Sequence, residues 1–420
     1  ATDNILKSFM KLIHEKDVAI RRLKSKDRPN ANLSCNNIDY GEFIVTSKLS
    51  EDKKNNIMKM KNRFQIFTCT NVQVSEIFIS RSRWKFDFVI IDEASQMRLD
   101  QFIPSLIRVG ENTQFLIAGD HLQLAPITGV KLKDPEKNIY GSVMTYYLKE
   151  FNNITIAPLT QNRRSNKVIV DFGRLTFGYN NYVSDKSVEL SRISFKETLD
   201  NTNLYDRILN PDDPFIVLNY DDIDYSAQKN EFEANQIVNI VKNIYNKKLY
   251  IYNKPNIEYN LINLFEEGIG IVVPHRAQRS KVRKGLLDYF TNTLEYKNLS
   301  VQDQQIVQQQ IESCVDTVEK YQGQQREIMI CSYVLGNEEY INMEEEFIYN
   351  PNRLNVMISR ARFKVIVLAS NQLINNISND YEITKLQQIL KQLTTYCQKS
   401  EEINEHDWKI RNGILRYKSF

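Results

Sequence analysis

The chain has 420 residues and a nearly balanced charge, since 55 Lys and Arg residues face 52 Asp and Glu residues for a formal net charge of +3. Hydrophobic residues make up 42% and charged residues 25%, which is typical of globular proteins and excludes intrinsic disorder, a collagen-like repeat and a small disulfide scaffold. No apolar run approaches the roughly 18 residues of a membrane helix, so we expect no membrane-spanning segment. The length allows two or three domains.

The five cysteines are scattered and none lies in a C-x-x-C pair, so their spacing favours neither a disulfide framework nor a zinc site. Free thiols suit a reducing compartment, and we expect an intracellular protein, cytoplasmic or nuclear. The first residue is Ala1 rather than Met, and residues 1–20 lack the apolar core of a signal peptide. We therefore expect the chain to be part of a longer protein.

Residues 7–63 are polar and basic, with 14 Lys and Arg residues against seven Asp and Glu residues. Apolar residues such as Val18, Ile20 and Leu23 stand among these charges in a pattern that predicts helices. Two interpretations of this stretch remain open. It is either a solvated surface insertion or an electrostatic platform for a phosphate backbone.

From residue 63 onwards, short apolar runs alternate with amphipathic helical stretches. Most of these runs end in, or are followed directly by, a small or polar residue, and the runs are Phe64–Thr70, Phe86–Ile91, Phe115–Ala118, Phe215–Leu218, Ile269–Val273, Ile328–Val334 and Val365–Ala369. This alternation predicts an α/β fold with a parallel sheet covered on both faces. Open sheets of this kind bind ligands beyond the carboxyl ends of their strands, so polar residues that follow a strand are candidates for chemistry. The polar stretches Ser184–Asn260 and Leu286–Gln310 are interpreted as surface decoration.

An acidic pair follows one of these strands in KFDFVIIDEASQM. The strand Phe86–Ile91 places Asp92 and Glu93 at its carboxyl end. Two adjacent carboxylates there can divide the work of nucleotide hydrolysis, with one holding Mg²⁺ and the other polarising the attacking water. The alternative is an acidic pair that caps the following helix.

The next apolar strand, Phe115–Ala118, which we expect to be buried, ends in a Gly-Asp pair. Gly119 allows a tight turn at the strand end. Gln123 then offers a neutral amide that can sense a terminal phosphate or the lytic water. The alternative is an ordinary strand-to-loop turn.

Together, IIDEASQM and AGDHLQLAPI resemble motifs II and III of superfamily 1 helicases, in the 5′→3′ branch that includes the nonsense-mediated-decay helicase and many bacterial relatives. Further motifs of this family follow in the same order. They are LTQNRRS at 159–165 (motif IV), IGIVVPHRAQR at 269–279 (a nucleic-acid-contacting segment), VDTVEKYQGQQRE at 315–327 (motif V) and NRLNVMISRAR at 352–362 (motif VI). FTCTNV at 67–72 and the opening ATDNIL resemble the strand-contacting motifs upstream of motif II.

The resemblance implies an α/β fold of two RecA-like parallel-sheet domains of the P-loop NTPase type, with ATP and Mg²⁺ bound between them. We expect residues 1–157 to form the first domain, truncated at its N-terminus and carrying a basic helical insertion at about 7–63. Residues 158–385 are expected to form the second domain, and residues 386–420 a C-terminal helical tail.

The resemblance also implies roles for individual residues. Asp92 would hold the metal, Glu93 would activate water, and Gln123 would couple the γ-phosphate to domain motion. Arg163 and Arg360 would be arginine fingers, because a planar cation that keeps its proton suits the spreading charge of the transition state; a surface ion pair is the alternative for either. Residues implied to bind the nucleotide are Asp120, Gln161, Gly323, Gln325 and Arg353. Residues implied to contact the nucleic acid are Thr68, Thr70, Pro274, His275, Arg276, Asp316 and Thr317, although His275 is equally consistent with a stacked or merely exposed histidine.

Three features depart from the family pattern. Asn162 stands where many relatives carry an aromatic residue that stacks on adenine, which leaves the choice of nucleotide open. Gln325 stands where relatives often carry Glu, although an amide can still hydrogen-bond a hydroxyl. The phosphate cradle G-x-x-x-x-G-K-[ST] is absent from the 420 residues, since Gly173 and Gly178 have its spacing but are followed by Tyr179. We expect the cradle upstream of the first residue, and therefore expect this chain alone to hydrolyse ATP poorly.

The sequence thus predicts an ATP-dependent helicase or translocase that moves on single-stranded DNA or RNA, with 5′→3′ polarity implied by the resemblance alone. We expect a monomer that does not contact membranes. The alternative is a non-catalytic nucleic-acid-binding protein descended from a helicase, which binds strands without turnover.

Overall fold

The computed structural model describes Met10 and residues 17–27, 38–46, 49–59, 62–70, 73–74, 85–126, 141–251 and 254–420. The chain groups into two compact units. The first comprises Ala1–His121 and Ala125–Thr155, and the second comprises Leu122–Leu124 and Ile156–Phe420. The division therefore falls after Thr155, whereas the sequence suggested a boundary after residue 157. Within the described residues, no helix is both long and apolar enough to cross a membrane.

Both units contain helices and strands of varied length. The strands of the first unit are β1 (Val18–Lys24), β2 (Ile38–Ile44), β3 (Phe64–Thr68), β4 (Phe88–Ile91) and β5 (Gln114–Ile117). Its helices are α1 (Glu51–Met58), α2 (Leu99–Phe102) and α3 (Val143–Glu150), with a 3₁₀ turn at Ile103–Leu106. The strands of the second unit are β6 (Gln161–Asn162), β7 (Val183–Ser184), β8 (Phe215–Tyr220), β9 (Tyr250–Ile251), β10 (Lys254–Glu258), β11 (Ile269–Val272), β12 (Val315–Asp316), β13 (Arg326–Ser332), β14 (Ala361–Ser370), β15 (Lys399–Glu402) and β16 (Ile414–Lys418). Its helices are α4 (Lys167–Phe177), α5 (Leu204–Ile208), α6 (Glu231–Asn246), α7 (Leu261–Asn263), α8 (Arg276–Phe290), α9 (Leu294–Lys297), α10 (Val301–Cys314), α11 (Val318–Tyr321), α12 (Glu338–Met343), α13 (Glu345–Ile348), α14 (Pro351–Ser359), α15 (Asn371–Asn375), α16 (Tyr381–Tyr396) and α17 (His406–Lys409), with a π-helical turn at Leu264–Gly268.

The basic stretch at 7–63 contains sheet strands, so its prediction as a helical insertion is wrong. β1 lies between β2 and β3, and both pairs are parallel, with Val18 opposite Ile38 and Phe64. The first three residues of β1 are all buried, and two of them are β-branched. Such a continuous apolar run fits a central strand better than one face of a helix.

The cations of β1 are neutralised inside this small sheet. Arg21 lies 2.7 Å from Asp39, while the buried Arg22 and Lys24 lie 2.9 Å and 3.0 Å from the same carboxylate of Glu42. Burying a cation is costly unless it gains such a partner. These three side chains therefore do not form the solvated basic face that the sequence suggested.

β4 and β5 form a parallel pair with several exposed apolar side chains on one face. Ile91 stands opposite Ile117. Phe88, Ile90 and Leu116 are 62%, 65% and 57% exposed. The prediction that the strand Phe115–Ala118 is buried is therefore wrong. A short apolar run does not distinguish burial on one face from burial on two. The covered face packs into the cluster of Ile91, Ala94, Phe102 and Val143.

A seven-stranded sheet organises the second unit, in the order β12-β11-β13-β14-β8-β16-β15. The strands from β12 to β8 are parallel, and β16 and β15 continue the sheet antiparallel. Successive residues of β8 alternate between two apolar clusters, with Ile216 and Leu218 in one and Phe215 and Val217 in the other. The sheet is therefore covered on both faces, which confirms the predicted α/β fold.

The last 35 residues include two strands of this sheet, β15 and β16, so the prediction of a helical tail at 386–420 is wrong beyond the end of α16 at Tyr396. Leu415 of β16 pairs with Leu218 of β8 in the antiparallel part of the sheet. β15 is the edge strand and β16 lies between it and β8, and both consist mostly of polar or half-buried residues, which hides their strand period in the sequence. The stretch interpreted as decoration also holds core residues, because α6 buries Ile237, Ile240, Val241 and Ile244.

A buried carboxyl group lies at the carboxyl ends of β8 and β13. Glu233 accepts hydrogen bonds from the Tyr220 hydroxyl at 2.7 Å, from the Val334 backbone N–H at 3.0 Å, and from the Ser332 hydroxyl. Burial raises the pKa of Glu233 to about 7, although these donors act in the opposite direction. The folded pKa exceeds the ordinary value of 4.5, so the stability linked to this group is fully present below pH 4.5 and is lost as the pH rises through 7.

We predict that Glu233→Gln raises the thermal unfolding temperature relative to wild type at pH 8, and by much less at pH 5. The amide cannot ionise, and one pKa unit corresponds to about 1.4 kcal/mol. The control is Glu231→Gln on the same helical turn, where hydrogen bonds from Lys229 and Lys281 lower the pKa, so that this variant loses stability at pH 8. Circular dichroism melts at both pH values measure the effect, and an equal shift of the Glu233 variant at both values contradicts it.

Candidate active site

The first unit presents an acidic pair at the carboxyl end of β4. Asp92 is exposed, while Glu93 is partly buried and has a φ of +54°. This left-handed conformation costs a non-glycine residue about 1–2 kcal/mol and turns the chain sharply at the strand end. Gln96 Nε2 donates to Glu93 Oε2 at 2.6 Å and orients that carboxylate. Both acidic groups therefore stand at the edge where open α/β sheets bind ligands.

The acidic turn packs closely against the end of β5. The Ala94 N–H donates to the Ala118 carbonyl at 2.9 Å, and the Ala118 N–H donates to the Ile91 carbonyl at 2.8 Å. A Cβ on Gly119 would lie 3.0 Å from Ser95 N and 3.2 Å from Ala94 N. Glycine is favoured here because two backbone segments approach each other, whereas the sequence analysis explained it by a tight turn.

Asp92 has the chemistry and the exposure of a magnesium ligand. Within the part of the chain that the structure describes, it makes no ion pair. Mg²⁺ in nucleotide sites is held by one or two carboxylates together with phosphate oxygens and water, so a closed protein cage is not required. The nearby Ser95 hydroxyl is buried without a hydrogen-bond partner among the described residues, as expected of a group that a ligand satisfies. These residues fit a metal-bound phosphate.

In the second unit, side chains of motif VI hold the end of motif III. Asn355 Nδ2 donates to the Leu122 carbonyl at 2.8 Å. Asn352 Nδ2 donates to the Gln123 carbonyl, also at 2.8 Å. Arg360 is only 3% exposed, and its Nη2 donates to Gln123 Oε1 at 2.5 Å. Gln123 and Arg360, 237 residues apart in the chain, are thus brought into contact. The sequence analysis missed both asparagines, although their place inside the motif VI match was a signal that could have found them.

Arg163 lies on an exposed turn whose shape is set by Asn162. Asn162 Oδ1 accepts the backbone N–H groups of Arg164 and Ser165 at 2.7 Å and 2.8 Å. The Arg163 side chain is 79% exposed, and its Nε lies 3.7 Å from Asp185 Oδ2. So exposed a pair contributes little to stability, and a ligand phosphate can replace it at small cost.

The other residues predicted to bind the nucleotide differ in their exposure. Gln161 on β6 and Gln325 before β13 are exposed, and Asp120 is partly buried. Gly323 has a φ of +78° with nothing within 4 Å of an added Cβ, so backbone conformation rather than space favours glycine there.

Arg353 is held by neighbours within the second unit. Its Nη1 lies 2.6 Å from Glu319 Oε1, and its guanidinium carbon lies 3.7 Å from the centre of the Phe347 ring. Burial lowers the pKa of Arg353, and the charge of Glu319 offsets part of that effect. A phosphate would have to replace Glu319 to reach this side chain.

Asp316 lies at the centre of a buried ion-pair cluster. It is 6% exposed, and its oxygens lie 2.8 Å from Arg279, 3.4 Å from Arg283 and 3.3 Å from Lys320. Burial raises the pKa of Asp316, but the hydrogen bond from Arg279 and the other partners outweigh it and leave the pKa below its usual range. A carboxylate repels phosphate, so the groups of this cluster that can bind a nucleic-acid backbone are its three cations. Sequence reasoning missed Arg279 and Arg283, which lie four residues apart on one face of α8.

The segment after β11 combines an exposed cation with a half-buried histidine. Pro274 is partly buried and Arg276 is exposed. The His275 ring stacks on Phe347 with centroids 6.0 Å apart and an interplanar angle of 23°, and its Nε2 lies 3.1 Å from Glu344. Burial lowers the pKa of His275 and raises that of Glu344, so His275 is uncharged at neutral pH and contributes stacking rather than charge.

The remaining residues predicted to contact the nucleic acid lie at, or just after, the ends of the β-strands β3 and β12. The Thr68 hydroxyl, at the end of β3, is buried without a hydrogen-bond partner among the described residues. The Thr70 hydroxyl and N–H both donate to Gln73 Oε1. Thr317 is partly buried and follows Asp316. β3 and β4 belong to different sheets, so the structure does not gather Thr68 and the acidic pair on one sheet edge.

Comparison with known proteins identifies matching families over most of the chain. One family model, described as an AAA domain, matches residues 141–372, and a second, also described as an AAA domain, matches residues 3–130. The DNA polymerase alpha-associated DNA helicase A of Saccharomyces cerevisiae is 27% identical over 327 residues, which cover 76% of this chain and 42% of that protein. The DNA replication ATP-dependent helicase/nuclease dna2 of Schizosaccharomyces pombe is 23% identical over 83% of this chain and 23% of its own length.

A third relative comes from an archaeon. An uncharacterised ATP-dependent helicase of Methanocaldococcus jannaschii is 24% identical over 80% of this chain and 45% of its own length. The chain therefore spans less than half the length of each of these curated relatives.

Gly119→Ala is expected to lower the thermal unfolding temperature, because its methyl group must displace the backbone of the acidic turn. Overpacking of this kind typically costs about 1–3 kcal/mol. The matched control is Gly173→Ala, inside α4, where an added Cβ meets nothing within 4 Å and gains up to about 1 kcal/mol of helix propensity. Melting curves compare the two, and a Gly119 variant that melts like wild type contradicts the close approach.

Proposed function

Because the chain belongs to the AAA-domain family of superfamily 1 helicases, we propose that it is the motor part of an ATP-dependent helicase or translocase. Its substrate is a single nucleic-acid strand, and ATP hydrolysis drives its movement along that strand. DNA is favoured over RNA because two of the matched relatives carry DNA in their names. Polarity from 5′ to 3′ follows from the family branch that the motifs resemble. We further propose that it acts as a monomer inside the cell.

One observation carries this proposal above the others. The buried guanidinium of Arg360 donates to the amide oxygen of Gln123 at 2.5 Å. Gln123 lies in motif III and Arg360 in motif VI, and each is predicted to act on the terminal phosphate. Their contact supports one functional unit, in which a change at the phosphate sensed by Gln123 shifts the arginine that stabilises transition-state charge.

The residues predicted to be catalytic would each have a role in ATP hydrolysis. Asp92 would hold Mg²⁺, whose charge offsets that of the phosphate oxygens. Glu93, turned towards the ligand edge by its backbone conformation, would polarise the attacking water. Arg163 and Arg360 would supply positive charge that is matched to the transition state.

Strand binding is proposed for the basic face of the second unit. Arg276, Arg279, Arg283 and Lys320 present cations around the carboxyl ends of β11 and β12. Cations of this kind bind phosphates without reading the bases, which suits a motor that must move along any sequence. His275, which is stacked and uncharged, would add a surface for a base or sugar.

A non-catalytic nucleic-acid-binding protein is the second candidate. The observation that favours it is the absence of a G-x-x-x-x-G-K-[ST] cradle from the sequence. This candidate requires strand binding without hydrolysis in the full-length gene product.

We predict that the full-length gene product hydrolyses ATP faster when single-stranded DNA is added, and that Glu93→Gln abolishes this turnover while sparing ATP binding. The amide keeps the shape of the side chain but does not polarise water as a carboxylate does. Glu111→Gln, an exposed glutamate of the same unit, is the matched control and should retain full turnover. A phosphate-release assay measures hydrolysis. Unchanged turnover of the Glu93 variant contradicts its role, whereas strand binding without any wild-type turnover favours the second candidate.

Arg360→Lys is expected to lower kcat by about 10³-fold and to change the KM for ATP only a few-fold. Lysine keeps the charge but does not reproduce the planar hydrogen bonding of arginine towards Gln123 and a phosphate. The control Arg192→Lys alters an exposed arginine paired with Asp212, and it should behave like wild type. Steady-state kinetics separate the two parameters. A loss confined to KM would show that Arg360 only binds ATP.

A further inference from the structure

We propose that Tyr182, supported by Tyr179, is the surface on which the base of the nucleotide stacks. This inference rests on the proposed function, since it assumes a nucleoside triphosphate beside motif IV. It concerns a residue that lies outside the motifs described above. It also answers the question raised by Asn162, which stands where many relatives carry an aromatic ring.

The two tyrosine rings form a rigid pair. Their centroids lie 5.0 Å apart, with an interplanar angle of 33°. Asn162 Nδ2 donates to the Tyr182 hydroxyl at 2.7 Å, and Asn355 Nδ2 donates to the Tyr179 hydroxyl at 2.6 Å. Both rings are half-buried, so part of the pair remains open to a ligand. A ring fixed before the ligand arrives loses little conformational entropy on binding.

The pair lies among the residues that are proposed to act on the phosphates. Tyr182 directly precedes β7, which pairs with β6 so that Asn162 stands opposite Ser184. The exposed Arg163 follows Asn162 and reaches Asp185 at the other end of β7. One strand pair therefore carries both the ring and one of the two proposed arginine fingers.

The second finger is tied to the same place. Asn355, which holds Tyr179, lies on α14, and α14 ends at Arg360. Arg164 Nη1 donates to the Ser359 carbonyl at 3.3 Å, which joins motif IV to the end of that helix. Both tyrosines and both arginines are thus held by one hydrogen-bonded framework. A triphosphate bound by the arginines would bring its base to the neighbourhood of the rings.

The chemistry of the pair indicates what it selects. Aromatic rings stack on every base, because every base has a π face. Asn162 uses its oxygen for two backbone N–H groups and one of its two amide N–H groups for Tyr182, so at most one N–H is left for the edge of a base. We therefore expect affinity for nucleoside triphosphates in general, with purines ahead of pyrimidines because their larger rings offer more stacking surface.

The test compares ATP with inorganic tripolyphosphate, which has the phosphates without the base. Titration calorimetry on the full-length gene product should show tighter binding of ATP than of tripolyphosphate. Tyr182→Ala should weaken ATP binding about tenfold and leave tripolyphosphate binding unchanged. Tyr182→Phe keeps the ring and should lose much less. Tyr381→Ala, which removes a 73% exposed tyrosine of the same unit, is the control and should bind both ligands like wild type.

Three results overturn the inference. If the wild-type protein binds ATP and tripolyphosphate with equal affinity, the base of the nucleotide does not contribute to binding. A Tyr182→Ala variant that weakens both ligands equally shows a structural role only. A variant that loses affinity for single-stranded DNA and not for ATP shows that the ring stacks on the strand instead.

Failure of the proposed function gives a different pattern. In that case the wild-type protein shows no ATP turnover that a nucleic-acid strand stimulates, whatever effect Tyr182→Ala has on the affinity for ATP. If function and inference both hold, Tyr182→Ala raises the KM for ATP about tenfold with kcat nearly unchanged, whereas Arg360→Lys lowers kcat.

Discussion

A buried guanidinium group needs hydrogen-bond acceptors, and the function proposed for this chain depends on how Arg360 meets that need. Arg360 is almost fully buried and keeps its charge at any physiological pH. One of its acceptors is the side-chain oxygen of Gln123, which lies in a segment that follows a strand of the first unit but packs with the second. A loss of this acceptor would leave a buried charge partly unsatisfied, which is among the most destabilising changes known in proteins. The interaction therefore ties motif III to motif VI by necessity.

Asparagine side chains do much of the positioning around this interaction. Asn352 and Asn355 hold the backbone of motif III, and Asn162 shapes the turn that carries Arg163. An amide suits this work because it donates and accepts at once, and it adds no charge near groups that must bind phosphate. Arg163 itself is exposed, and its Nε lies 3.7 Å from Asp185 Oδ2.

The cations proposed to bind a strand are organised in the opposite way. Asp316 is buried among Arg279, Arg283 and Lys320, so one carboxylate gathers three cations in one region. One negative charge against three leaves a local excess of positive charge, which an anionic backbone can use. The carboxylate also limits the motion of the long side chains, and that reduces the entropy they lose on binding.

The sequence by itself determined the chemistry and the order of the motifs, because those depend on residue types at fixed spacing. All seven apolar runs that it indicated contain strands, and the acidic pair stands at the end of its strand as predicted. Only the tertiary structure decided which charges are matched within the fold. The sequence predicted that Val18 and Ile20 lie on one face of a basic helix. It could not show that Arg22 and Lys24 pair with Glu42, because Glu42 lies on a neighbouring strand. For Asp316 the sequence predicts a contact with a nucleic-acid strand, and only the structure shows that two of its three cations come from α8, more than 30 residues earlier in the chain. Pairings between distant segments leave no local period in the sequence, and burial is the property that turns an ordinary charge or amide into a structural one.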